Sequence, residues 1–297
     1  MASSARTTGP DPLGTERPET DPPETDRELA AGQPDRCLRG LVTSYQGFHY
    51  RSSEPVRRVV LPEAVVKLVF AFGKPVSTVD AVDPRRVGSM LSVAVPLQTT
   101  AMVGSHNGQV HGLAVLLTPL GAHRIFGLPM SEWEQQEFVP IEVLLPSLAG
   151  LGERLAECPS WAGRFGLLDE VLTGRLPDAL DRSPELERAW GELRRSSGRV
   201  SVTELADRTG WSRRHLERKF AEQVGCSPKK VAQVLRLRAA LRLHERGLPL
   251  AKVADAAGFH DQSHLNRVYR EMIGCSPTRA TEHRVDWQHT TPTAERY

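Results

Sequence analysis

The sequence predicts an α+β chain: a β-rich N-terminal region with following helices, then an all-α C-terminal domain of two helix-turn-helix units joined by a long helix. Three observations lead there. One pattern occurs twice between Val200 and His283. From Cys37 to about Pro119, short β-branched runs alternate with turn residues. Between these regions, apolar residues recur at helical spacing.

Residues 1–36 are rich in Pro, Thr, Glu and Asp and almost free of large apolar side chains. Such a segment cannot offset its ordering entropy, so a disordered tail is predicted. Gly40–Tyr45 and Phe48–Tyr50 read as strands around a turn at Gln46-Gly47. Arg57–Leu61, Val65–Phe72, Met90–Val95, Thr99–Val103 and Val110–Leu117 read as further strands, with a turn at Gly73-Lys74-Pro75. About six or seven short strands suggest a small sandwich or barrel. A helical part begins at Pro119. Leu148, Leu151 and Leu155, then Phe165, Leu168 and Leu172, mark helices over Val143–Ala156 and Trp161–Leu176. Residues 37–180 thus form one domain, and Pro177–Pro184 reads as the linker. Ser183 caps the next helix, and Pro184 occupies its first position.

The repeat lies within the C-terminal domain, 184–285; residues 286–297 are a tail. The first copy is Val202–Pro228 and the second Leu250–Pro277. Ala206, Gly210 and Trp211 match Ala254, Gly258 and Phe259 at an offset of 48. Leu216, Arg218, Phe220 and Pro228 match Leu265, Arg267, Tyr269 and Pro277 at an offset of 49. The extra residue falls in or just past the turn. Each copy reads as a short helix, opened by Thr203 in the first, that ends at a glycine able to adopt left-handed backbone. Trp211 or Phe259 packs the corner, and Ser212 or Asp261 caps the second helix. Leu216 and Phe220, or Leu265, Val268, Tyr269 and Met272, form its buried face. Its outer positions are polar: Arg213, Arg214, Glu217 and Arg218 in one copy, Gln262, Ser263, His264, Asn266 and Arg267 in the other. Pro228 opens a connecting helix of about 19 residues, roughly 28 Å long, that Gly247 ends.

The residues ADAAGFHDQSHLNRVYREMIGCSP of the second copy and RRHLERKFAEQVGCSP of the first resemble the DNA-binding domain of the AraC/XylS family of transcriptional regulators. The resemblance covers roughly a third of the chain. It implies two helix-turn-helix subdomains that read successive major-groove segments on one face of DNA, their separation being close to one turn of ~34 Å. It also points Arg214, Glu217, Arg218, Gln262, Ser263, His264 and Arg267 to the groove; Arg213 joins them as an exposed arginine on the same helix. Arginine suits guanine, glutamine suits adenine, and Glu217 either accepts from a cytosine amino group or repels phosphate. Lys229, Lys230, Arg279 and the helix starts after Pro228 and Pro277 are candidates to hold phosphates. The N-terminal region looks, more loosely, like the sensory part of some AraC-type regulators. The partners so implied are double-stranded DNA, with RNA polymerase, a small-molecule effector and a second copy of the chain as further candidates.

Charge agrees with that division. The net charge is only +2 over 297 residues. Residues 184–285 hold 20 Lys and Arg against 12 Asp and Glu, or +8, which leaves −6 for the rest. Four cysteines make no disulfide framework, and Cys226 and Cys275 read as small buried residues at equivalent repeat positions. There is no apolar run near ~18 residues and no signal-like N-terminus, so a cytoplasmic protein is expected. His106, His111 and His123 lack Cys or carboxylates at ligand spacing, and no metal or other cofactor is expected. The competing class is a DNA-repair alkyl acceptor, which requires a reactive, usually zinc-bound thiolate. Only Cys37 and Cys158 lie outside the repeats, and no G-x-S-x-G, phosphate loop or H-E-x-x-H occurs. An enzyme is therefore not expected.

Overall fold

The structure, a computed structural model, describes residues 26–278 except 54–55, 74, 81, 84–86, 107, 133–137 and 177–181. Residues 1–25, most of the predicted linker, Arg279 and the C-terminal tail lie outside the described residues.

The N-terminal part contains strands β1 (Asp26–Gly32), β2 (Val42–Arg51), β3 (Val56–Val60), β4 (Val66–Ala71), β5 (Val76–Asp80), β6 (Val87–Met90), β7 (Ser92–Val95), β8 (Met102–His106), β9 (Gln109–Leu117) and β10 (Val139–Pro140). They pair antiparallel in two sheets, a six-stranded one ordered β1-β2-β9-β4-β7-β10 and a four-stranded one ordered β3-β8-β5-β6. Helices α1 (Pro119–Phe126), α2 (Ile141–Leu144), α3 (Leu151–Glu157) and α4 (Trp161–Gly174) follow. One face of the large sheet packs on them. Tyr45, Phe70, Leu113 and Val115 share a buried apolar cluster with Ile125, Leu155, Leu168 and Leu172. The Tyr45 hydroxyl donates to Asp169 Oδ1 at 2.7 Å, tying β2 to α4. Arg164 is also buried there, its guanidinium lying over the Trp161 and Phe72 rings while Nε donates to the Leu155 carbonyl.

Several expectations need correction. Residues 26–32, assigned to the disordered tail, form β1 and pair along β2 from Asp26↔Arg51 to Gly32↔Tyr45. The predicted turn at Gln46-Gly47 is the middle of the continuous strand β2. Gly47 serves close approach rather than a turn: a Cβ there would stand 2.4 Å from the Trp161 ring. The predicted helix over Val143–Ala156 is broken into α2, a 3-10 turn at Pro146–Leu148, and α3. Pro146 has no N–H to continue α2, and Gly150 turns left-handed at φ 75°.

The C-terminal part is all helical: α5 (Pro184–Arg195), α6 (Val202–Thr209), α7 (Arg213–Val224), α8 (Pro228–Glu245), α9 (Leu250–Ala256) and α10 (Gln262–Ile273). Its apolar clusters are not confined to it. Leu120 of α1 joins the core of α5, α6 and α7. Val59, Leu61, Ala101 and Val103, from β3, β8 and their flanks, join the core of α8, α9 and α10.

Candidate nucleic-acid interface

The repeat is realised as two helix-turn-helix units, α6–α7 and α9–α10. Gly210 and Gly258 occupy matched corners with φ of 71° and 78°, which a side chain disfavours. The next matched pair is the N-cap of the second helix. Ser212 Oγ accepts from the His215 amide, and Asp261 Oδ1 accepts from the His264 amide at 2.7 Å. The residue that changes the offset from 48 to 49 is therefore His260, between the corner aromatic and the cap. One cap differs from expectation: Ser201, not Thr203, starts α6, its hydroxyl accepting from the Glu204 amide. Ser183 precedes α5 without a side-chain cap bond.

Leu216, Phe220 and Val224 of α7, and Leu265, Val268, Tyr269 and Met272 of α10, are buried. The opposite faces carry the predicted groove residues. Arg213, Arg214 and Arg218 are exposed, and Glu217 is half-buried. Gln262, Ser263 and Arg267 are exposed, whereas His264 and Asn266 are half-buried. Lys229 and Lys230 are exposed in the first turn of α8, where Ser227 caps and the Lys230 amide is donated to Ser227 Oγ.

The exposed arginines differ in how they are held. Arg213 Nε lies 2.9 Å from Glu217 Oε1, one turn on. Arg218 reaches Glu222 at 3.7 Å and His215 Nδ1 at 3.2 Å. Arg267 approaches Glu271 at 3.8 Å. Arg214 makes no ion pair among the described residues. Such exposed pairs are worth little and exchange readily for phosphate or a base edge.

His264 is tied into its own unit. Its ring meets Phe259 edge-on at 5.4 Å, as the ring of the matched His215 meets Trp211 at 4.7 Å. Burial, then the nearby Arg267 and Arg236, lower its pKa and favour the neutral ring. Sequence reasoning assigned His264 to the groove and passed over His215; the constant offset of 49 was the available signal that His215 matches it and that both rings pack on the corner aromatic.

Cys226 and Cys275 are buried at equivalent positions after α7 and α10, as expected of small apolar residues. Cys37 Sγ contacts the Thr173 hydroxyl, and Cys158 Sγ donates to the Arg154 carbonyl. His111 stacks on His49 at 4.5 Å and meets Phe72 and Trp161 edge-on; burial first, then His49 and Arg164, bring its pKa down to about 4. Among the described residues no three His, Cys, Asp or Glu side chains gather as a metal site needs, and no helix is long and apolar enough to cross a membrane.

Residues 205–283 match a family described as helix-turn-helix domain, and residues 31–138 match a domain of unknown function (DUF6597). The C-terminal domain is of the AraC/XylS type. A segment of 64 residues is 38% identical to the uncharacterized HTH-type transcriptional regulator YbfI of Bacillus subtilis (strain 168). That match spans 22% of this chain and 23% of the relative's length, so the chain matches less than a quarter of that protein. Among solved structures, ToxT from Vibrio cholerae is similar at 13% identity and TM-score 0.46, over 80% of this chain and 98% of that one. The AraC-like transcriptional activator CuxR is similar at 12% identity and TM-score 0.28, over 77% and 91%. The AraC-type domain as matched takes in both helix-turn-helix units, from within α6 to residues beyond α10.

Proposed function

We propose that this chain is a sequence-specific, DNA-binding transcriptional regulator of the AraC type, and that α7 and α10 read two successive major-groove segments. The observation that carries this reading is the pair of capped helices, each with one face buried in its unit and a polar, arginine-bearing face in solvent. The helix α8 that joins them has 18 residues, about 27 Å at 1.5 Å per residue, which suits grooves one turn apart. Arg214, Arg218, Gln262, Ser263 and Arg267 are the base-reading candidates. Arg213 and Glu217 act as a pair, and Lys229 and Lys230 at the start of α8 hold phosphate.

As a DNA-binding regulator, the chain acts by occupancy rather than by chemistry. The N-terminal domain then senses a small molecule or self-associates, and it shifts the population able to bind DNA or recruit RNA polymerase. A cytoplasmic location follows from that role.

In vitro selection of genomic DNA by the full-length chain tests the reading. The expected result is one motif with two short blocks about one helical turn apart, and affinity that falls steeply with salt as phosphate contacts release counterions. Selection of no sequence, or a flat response to salt, contradicts it.

A further inference from the structure

The two reading units are joined twice. One join is covalent, through α8. The other runs through the N-terminal domain, which touches both units and closes a ring. On the first unit, Leu120 of α1 enters the core of α6 and α7, and Met130 packs against Gly225 at the end of α7. On the second unit, Val59, Leu61, Ala101 and Val103 enter the core of α9 and α10. The Ala101 amide also donates to the Met272 carbonyl at 2.6 Å, filling one of the carbonyls that the last turn of α10 leaves open.

Between these supports sits a charge contact to the connecting helix itself. Glu63, in the crossing from β3 to β4, lies 3.5 Å from Arg238 of α8 and 3.2 Å from Lys67 of β4. All three side chains are at least three-quarters buried. A carboxylate between two cations, so placed, makes a directional contact that the apolar seam around it lacks. Removal of its charge takes from Arg238 and Lys67 the partner they share, which weakens the hold of the sheet on α8.

We propose that the N-terminal domain fixes the spacing of the two DNA blocks, with Glu63 as the positioning residue that holds α8 to the sheet. A unit held by α8 alone pivots at the corner between α8 and α9, where Gly247 has φ 83°. A unit also held by the sheet does not, because the ring has no free joint. Spacing selectivity is then a property of the full chain and not of the DNA-binding domain. This inference rests on the two-segment reading proposed above.

The test measures affinity of the full-length chain for duplexes that carry the selected blocks at the native spacing, at one and two base pairs longer or shorter, and for each block alone. The wild type is expected to lose about tenfold or more per base pair of misplacement, the loss that follows when one block's base contacts are forfeited. In Glu63→Gln, and independently in Arg238→Gln, that preference should shrink to about threefold or less, with affinity for single blocks unchanged. A role in folding alone moves single-block and two-block binding together and leaves the spacing preference intact. A wild-type profile that is flat overturns the proposal whatever the variants do. Variants that bind single blocks normally and keep the wild-type spacing profile overturn it too. If the wild type selects no blocks at all, the two-segment reading falls first, and this inference with it.

Discussion

The two helix-turn-helix units share a backbone plan but are stabilised by different surroundings. The first unit is held by helices: α5 packs across it, and Arg208 pairs with both Glu192 of α5 and Glu204 of α6. Its second helix, α7, adds intrahelical pairs, Arg213–Glu217 and Lys219–Glu222. The second unit shows fewer such pairs among the described residues, and its α9 begins at Pro249 without a side-chain cap bond. It is held instead by the sheet, through Val59, Leu61 and Val103 and the Ala101–Met272 bond. Repeat sequences specify the internal geometry of each copy, while each copy's stability depends on what lies behind it. One consequence is that the second unit and the N-terminal domain share a core and depend on each other.

That contrast breaks or sharpens under four tests. The largest effect is expected at the corner aromatics. Phe259→Ala should destabilise the second unit by about 3–5 kcal/mol, since the ring is buried in the core shared with the sheet. Trp211→Ala should cost less, because its ring is only partly buried. Thermal or denaturant melts decide this, and equal losses would erase the distinction.

Next come the arginines. Arg267→Ala should weaken specific DNA binding by about 1–3 kcal/mol if it reads a base. Arg213→Ala should cost less, because the free protein already pairs this side chain with Glu217. Unchanged affinity for Arg267→Ala on the selected site would remove it from the contacts.

A smaller effect is expected at the matched pair Phe220 and Tyr269. Both are fully buried, and the Tyr269 hydroxyl has no hydrogen-bond partner among the described residues. Tyr269→Phe, which copies the first unit's residue, should therefore raise stability by about 1 kcal/mol. A lower melting temperature would show that the hydroxyl is satisfied.

The smallest effect should appear in acid. Burial by itself raises the Glu63 pKa, but Lys67 and Arg238 outweigh it and hold the carboxyl below its ordinary 4.5. Its contribution is thus complete above pH 4.5 and is lost as pH falls through the lower folded value. Hydrogen exchange should then show α10 losing protection in acid before α7 does. Simultaneous loss would argue against separate supports.

Much of this site was legible in the sequence because it depends on local rules. The doubled spacing located both units, and Ser212, Asp261, Gly210 and Gly258 marked their caps and corners from residue type alone. The strands were less legible. Gly47 reads as a turn residue when only its neighbours are considered, yet it is a strand residue beneath Trp161, more than a hundred positions away. β1 was missed because an edge strand with one sheet neighbour, such as D-R-E-L-A-A-G, need not be apolar; Leu29 is itself 47% exposed.

Periodicity, caps and charge were enough to specify two helix-turn-helix units, a connecting helix and a β-rich partner domain, since each reports an interaction within a few residues. The shared core behind the second unit, the contact of Ala101 with Met272 and the position of Glu63 between Lys67 and Arg238 join residues up to about 175 positions apart. No local rule encodes such pairs. They arise when the sheet's apolar flank and the second unit's open core meet and exclude water from both, and a contact set by that burial is visible only once the chain has folded.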